Sequence, residues 1–531
     1  MGTLAAQTSQ SQLMALIRVM ASRSNIAKLI GAYVLWLLFK YRNTAYGVKP
    51  RRDAPPSPQG IPLLGHLHYA IILKRNQVLQ RQLASFRRFG KTYSLTFPGM
   101  GRIIYANDPE ILDHVLRTNF WAYEKGPTIQ NVLFPLIGKG IFGADGEHWR
   151  WQRKIASHVF NVKSFREYTT NVFCTDGEAV CDLLGKAADK GSVVDLQDVF
   201  YRFTLESFGE IAFGMEFGCL KDPDNELEFA KAFDRLNFGL SGRLISSPFM
   251  RLKDWWTGAT AQLEKDEIYV REFAYDVIRK RRNSPELQDR RDLMALFMNA
   301  KDENRESLSD EMLKDMLLNF VIAGRDTTAQ ALSWMFYLMH RSIANKEILG
   351  KLVDETEDIL DGDLPTYEST KKQKYAEACF YEALRLYPSV PKNIKVCVED
   401  DVWPDGTTIK KGEFFGWAPW AMGRTKEVWG EDAEVYKPER WLAGDRPSPS
   451  KFPAFHVGPR TCLGQQFATI EAIALMSMLF QRFEFELVDP DSEPDYTPGL
   501  TLPLEKGLPI RVRRRKNVSS KIAGVAQAVA A

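Results

Sequence analysis

The spacing of apolar and polar positions divides the chain into strand-like and helix-like stretches. KTYSLTF (Lys91–Phe97) and GRIIYA (Gly101–Ala106) read as two short strands around the turn Pro98–Met100. From about Asp108 to Leu386 the pattern turns mainly helical, as in Leu263–Arg282 and Leu308–Met339, where apolar residues recur at three and four. Between 390 and 420 the β-type residues return around the turn PDGT (Pro404–Thr407), followed by loops rich in Pro, Gly and Trp. A long apolar run after Cys462 predicts another helix, and GLPIRV (Gly507–Val512) a closing strand. No repeat or linker interrupts residues 67–512. They are expected to form one large domain, mainly α with small β-sheets, followed by a loose tail over 513–531.

The N-terminus has a different texture. Ile26–Phe39 is apolar apart from Lys28, and a second apolar run, Leu13–Ala21, precedes it. Neither reaches the ~20 residues of a bilayer span alone, but one tilted helix across both does, with Arg18 or Lys28 snorkelling. A signal peptide or a buried helix are the alternatives. No small-residue cleavage site follows, and Lys40, Arg42, Lys49, Arg51 and Arg52 come next. This favours an uncleaved single-pass anchor over 1–45 with its C-terminal side cytosolic, as in the endoplasmic reticulum membrane. Pro50, Pro55, Pro56, Pro58 and Pro62 then make 46–66 a stiff, extended hinge.

Composition narrows the chemistry. In 531 residues, 45% hydrophobic, the 70 basic and 67 acidic side chains nearly balance at +3, which leaves no nucleic-acid footprint. The six cysteines, at 174, 181, 219, 379, 397 and 462, include no CxxC pair, and the seven histidines are scattered. That spacing speaks for a reducing compartment and against zinc or iron-sulfur sites. A metal bound at Cys462 would have that sulfur as its only protein ligand.

Cys462 lies in FHVGPRTCLGQQ (Phe455–Gln466), ahead of the helical run QQFATIEAIALMSMLFQRF. Gly458 and Gly464 permit close backbone approach to a flat partner, and N–H groups at the helix N-terminus favour a thiolate. Such a sulfur serves as a nucleophile with His456 as base, a redox sensor, an inert core thiol or an axial ligand. The glycines and Arg460 best suit a large anionic cofactor.

The loop resembles the haem-binding signature of cytochromes P450, F-x-x-G-x-R-x-C-x-G, matched at Phe455, Gly458, Arg460, Cys462 and Gly464. The resemblance implies the cytochrome P450 fold and haem b with Cys462 as proximal thiolate, Gly464 letting backbone approach the sulfur and Arg460 pairing a propionate. Three further segments resemble family patterns, in order upstream. AGRDTT (Ala323–Thr328) is a polar island in an apolar helix; helix–helix hydrogen bonding would also account for it. The resemblance implies Thr327 as the hydroxyl bonding the bound oxygen and Asp326 as a proton source, with Ala323 and Gly324 facing substrate and oxygen. EALR implies a structural network of Glu382 and Arg385 with Arg440 of PERW. HWRWQRK implies Trp149 and Arg153 as propionate donors, with Lys395 replacing the arginine common in relatives. His456 stands where relatives often carry Asn, Ser or Gly.

The wording of AGRDTTAQALSW, EALRLYPSVP and GPRTCLGQQFA is most similar to the plant and fungal clan that hydroxylates long-chain fatty acids and alkanes. This implies a monooxygenase acting with O2 on a lipophilic substrate. Family placement puts pocket walls at the loop Phe120–Phe142, the helix Leu317–Thr328, the strand Val390–Asn393 and the turn Gly499–Leu502. No flavin domain follows the cysteine loop, so electrons are expected from NADPH-cytochrome P450 reductase, with Lys371, Lys372, Lys374, Arg150 and Lys154 as candidate contacts. Rival readings are a sterol, terpenoid or xenobiotic hydroxylase, a hydroperoxide-rearranging relative, a haem-based sensor and a cysteine hydrolase.

Overall fold

The computed structural model describes residues 23–516 apart from 73–74, 161–162, 222–226, 244–253, 285–291, 302–306, 343–344 and 498. The helices used below are α1 (Arg23–Lys40), α2 (Gly126–Ile137), α3 (Gly146–Phe160), α4 (Lys163–Lys190), α5 (Leu196–Phe213), α6 (Glu228–Arg243), α7 (Ala259–Asn283), α8 (Asp310–Val321), α9 (Thr327–His340), α10 (Lys374–Leu386) and α11 (Gln465–Arg482). The strands are β1 (Thr92–Phe97), β2 (Gly101–Ala106), β3 (Tyr123–Glu124), β4 (Val193–Asp195), β5 (Asn393–Cys397), β6 (Asp401–Val402), β7 (Thr408–Ile409), β8 (Phe414–Trp417), β9 (Phe483–Leu487) and β10 (Pro509–Arg514). They form a five-stranded sheet in the order β1-β2-β8-β5-β3, a three-stranded sheet β4-β10-β9 and the pair β6-β7. The mainly helical class with small sheets is as expected.

α8 and α9 are nearly buried throughout, because their apolar residues run all round the helix instead of along one stripe. Ser309 caps α8, its Oγ accepting from the Met312 N–H at 3.3 Å. α11 is buried from Thr469 to Gln481 and packs against α4, which fixes the cysteine loop ahead of it to the core.

Four details differ from expectation. Phe120–Phe142 is largely ordered as a 3-10 turn, β3 and α2, because Pro127 starts the helix and the Asp145 carboxylate accepts from the Lys125 and Gly126 N–H groups, each at 3.0 Å. The strand expected at Val390–Asn393 begins at Asn393. β10 extends two residues past Val512, where Arg514 pairs with Asp189 at 2.7 Å. The hinge is tied to the sheet: Ser94 N–H donates to Pro56 O (2.8 Å) and Arg51 to Glu413 (2.6 Å).

Among the described residues no helix is long and apolar enough to cross a membrane. Leu13–Ala21 and residues 517–531 lie outside the described part. α1 nevertheless leaves Leu29, Ile30, Leu35, Trp36 and Phe39 exposed.

Candidate active site

The cysteine loop is shaped by two residues with positive φ. Gly458 has φ +67°, and a Cβ there would lie 2.1 Å from Leu116 O, so glycine is required twice over. His456 has φ +66° with ψ −178°, a strained conformation that is otherwise almost confined to glycine. Phe455 O accepts the Cys462 N–H at 2.8 Å, closing the loop. At Gly464 a Cβ would meet only Cys462 Sγ, at 3.9 Å, so no protein atom demands glycine there and the space facing the sulfur is open.

Cys462 is an exposed cysteine; the other five are buried, among them Cys174 and Cys181, whose thiols burial pushes up to about 12. Desolvation by the surrounding protein nevertheless pushes the Cys462 thiol up. The Gly464 N–H and the Arg153 guanidinium pull the other way without prevailing. The N–H groups expected to favour the thiolate do act in that sense, through Gly464, but α11 begins three residues beyond Cys462 and burial outweighs them.

Beside this loop, cations converge with few anions. Lys395 is fully buried; its Nζ donates to Tyr123 O (3.0 Å) and lies 4.6 Å from the Phe120 ring centre. Burial, then Arg460 and Lys125, drives it well below the usual lysine range. Lys125 is drawn down to about 8 by the same causes, burial first and Arg460 next. Arg460 donates to Ala144 O (2.7 Å) and Asp145 (2.9 Å) and rests 4.6 Å from the Trp149 ring centre, yet its buried Nε meets no acceptor. His456 Nδ1 takes the Val457 N–H at 2.7 Å, and its buried Nε2 is unpartnered. Arg153 donates to Thr461 O, so its partner here is the cysteine loop itself.

The polar island lies in a π-helical turn, Ile322–Asp326, between α8 and α9. Thr327 Oγ1 donates to Ala323 O at 2.6 Å, while Thr204 and Ser389 hydroxyls bond the carbonyls of Arg325 and Thr327 at 2.9 and 2.7 Å. A Cβ on Gly324 would lie 2.2 Å from the Phe208 ring, so glycine here lets α5 pack closely against the π-helical turn. Asp326 is buried, paired with Arg325 (2.9 Å) and bonded by Asn237 (3.1 Å); burial pushes its carboxyl up to about 7 against the pull of Arg325.

Behind the loop, Glu382 takes Arg385 Nη2 at 2.7 Å and Arg440 Nε at 3.2 Å; Glu382 and Arg385 are fully buried and Arg440 nearly so. The structure thus brings Cys462, Arg460, Arg153, Trp149 and Lys395 into one neighbourhood, Asp326 and Thr327 into a second, and Glu382, Arg385 and Arg440 into a third. Sequence reasoning missed Lys125, Asp145 and Asn237, whose neighbours are remote in sequence; only the polarity of Asp145 just before α3 hinted at a capping role.

A family model for cytochrome P450 matches residues 55–509. The chain belongs to the cytochrome P450 family. It is 33% identical over 517 residues to cytochrome P450 monooxygenase cyp1 of Mycosarcoma maydis, covering 92% of this chain and 80% of that protein. It is 35% identical to cytochrome P450 704C1 of Pinus taeda (80% and 87% covered) and 36% identical to cytochrome P450 86B1 of Arabidopsis thaliana (77% and 76%). This P450 is therefore a haem-thiolate monooxygenase, and the residues present fit the group the family implies. An accessible sulfur faces open space, and beside it buried donors at Arg460 Nε and His456 Nε2 lack acceptors, as carboxylate-bearing haem edges require. Among the described residues no cluster of three His, Cys, Asp or Glu side chains offers another metal site. The family acts with O2 on lipophilic substrates and takes electrons from a reductase.

Proposed function

We propose that this P450 hydroxylates the terminal or a near-terminal carbon of a long-chain fatty acid, drawing electrons from NADPH through NADPH-cytochrome P450 reductase at the endoplasmic reticulum membrane. The observation that carries the chemistry is the accessible Cys462 flanked by unsatisfied buried cations and donors. The substrate class rests on the segment wording shared with the fatty-acid and alkane hydroxylase clan. The exposed apolar face of α1 and the basic residues after it support membrane attachment with a cytosolic body.

Cys462 would hold haem b from one side, with Arg460, Lys395, Lys125, His456 and Trp149 placed to receive its propionates. When bound, the haem supplies dioxygen activation under the electron push of the thiolate. The Thr327 hydroxyl, which here donates to Ala323 O, is the group that passes a proton, and Asp326, held near neutrality, is its source. The turn Gly499–Leu502 is fixed to α9, just beyond the expected wall Leu317–Thr328: Gln330 Oε1 accepts the Leu502 N–H at 2.7 Å and Trp334 Nε1 donates to Leu502 O at 2.8 Å. For the reductase, Lys371, Lys372, Lys374, Arg150 and Lys154 offer exposed charge, though Lys374 and Arg150 already have acid neighbours at 3.3 and 2.8 Å.

Reconstituting the purified holoenzyme with the reductase and NADPH, and offering saturated and unsaturated acids from lauric to oleic, should give hydroxy acids oxygenated at or next to the chain end. Turnover of a sterol or terpene with no oxygenated fatty acid would reject the substrate class.

A further inference from the structure

Helix α6 reaches both the acid and the pocket. Asn237 Nδ2 donates to Asp326 Oδ2 at 3.1 Å. Asp234 takes Arg325 Nη1 and Nη2 at 2.5 and 3.0 Å, and Arg325 Nη1 also donates to Asp326 Oδ1 at 2.9 Å. Both oxygens of Asp326 are thus committed to Asn237 or to an arginine that Asp234 clamps, and neither bonds Thr327. One helical turn on, Phe238 and Ser241 lie 3.4 Å from where a Cβ on Gly499 would stand, so α6 also touches the turn Gly499–Leu502.

We propose that Asn237 and Asp234 are positioning residues for Asp326, coupling the seating of α6 against the pocket to the release of this acid toward Thr327. The idea rests on the monooxygenase reading above. A 3.1 Å hydrogen bond is lost on a shift of about an ångström, so a small displacement of α6 frees Asp326 Oδ2. Asn237 is buried, and its Oδ1 has no partner, a costly state that another position of α6 would relieve.

The groups facing Asp326 among the described residues are Arg325 on its own helix, Asp234 and Asn237 on α6, and Tyr201 on α5, whose ring lies 4.5 Å below the Arg325 guanidinium. Their influences differ in sign. The Asn237 donor lowers the acid's proton affinity and the Asp234 charge raises it.

The test measures hydroxylated product per NADPH consumed, with lauric acid as probe, from about pH 6 to 8.5, on the full-length holoenzyme with reductase. Asn237→Ala, which frees Asp326 Oδ2 wherever α6 sits, should raise this ratio at least threefold near neutrality and move its pH midpoint upward. Asp234→Asn should move the midpoint downward, and Asp234→Glu should restore it. Opposite shifts are not what a loss of packing alone produces. Unmoved midpoints, or midpoints moving the same way, would overturn the proposal. Asp234 is half-exposed, so its two variants decide the matter even if Asn237→Ala does not fold. Wild-type protein that binds haem but forms no NADPH-dependent product would instead reject the underlying monooxygenase reading, which failure of the variants alone would leave standing.

Discussion

Around Glu382 every charged atom has a partner, whereas around Lys395 cations gather faster than acceptors. In the first cluster all five donors of Arg385 are used: two on Glu382, and the rest on the carbonyls of Gly423, Ala433 and Val435. Glu382 accepts further bonds from the Lys437 N–H (2.8 Å) and Trp441 Nε1 (3.0 Å). In the second, Lys395 has a single carbonyl, Arg460 keeps an idle Nε and His456 an idle Nε2. Both are buried and equally polar in sequence. A closed set of bonds holds chain to chain; an open one is a receptor for charge brought by a ligand.

Breaking the closed cluster should cost most. Arg385→Ala leaves Glu382 charged and buried, so unfolding in denaturant should show a loss of about 3–5 kcal/mol, with haem content falling along with the fold. Opening the second cluster further should do something else. Lys395→Met is expected to leave the denaturation midpoint nearly unchanged while haem dissociates about ten- to a hundredfold faster, the loss of one charge-assisted bond of roughly 1.5–3 kcal/mol. Lys395→Arg should retain the haem. Equal destabilisation by Arg385→Ala and Lys395→Met would erase the distinction between the two clusters.

A third buried site acts through pH. Glu471 on α11 accepts from Ser207 Oγ at 3.0 Å, its other oxygen is unpartnered, and burial pushes its carboxyl up to about 8. The folded state therefore binds a proton that the unfolded chain releases near 4.5, and this group's stabilisation is full at low pH and lost as pH rises through 8. Glu471→Gln should flatten the fall of the thermal midpoint between about pH 5 and 8. A residual slope is expected from Asp176, which burial also pushes up to about 8.

The fold class and the cysteine loop were legible in sequence because they depend on local signals: a run of fixed spacing, helical periodicity, turn residues. The roles of single side chains were less so. Glu382 and Arg385 as an i,i+3 pair look like any surface ion pair until their burial is seen. Gly324 also leaves room for Phe208, a neighbour far away in sequence that no local pattern announces. The strained backbone of His456 carries no sign in its residue type. Lys125 and Asn237 carried no signal, since their meaning comes wholly from tertiary neighbours.

The main sheet has one further consequence, for biosynthesis. β2 pairs in parallel with β8, Ile103 opposite Phe414, and Arg102 on β2 also binds Glu413, 311 residues later. At about 5–20 residues per second, the ribosome leaves this edge without its neighbour for roughly 15–60 s. During that interval the hairpin β1-β2 presents bare backbone donors and acceptors, an invitation to foreign strands. Newly made chains should therefore lean on chaperones until Phe414 emerges.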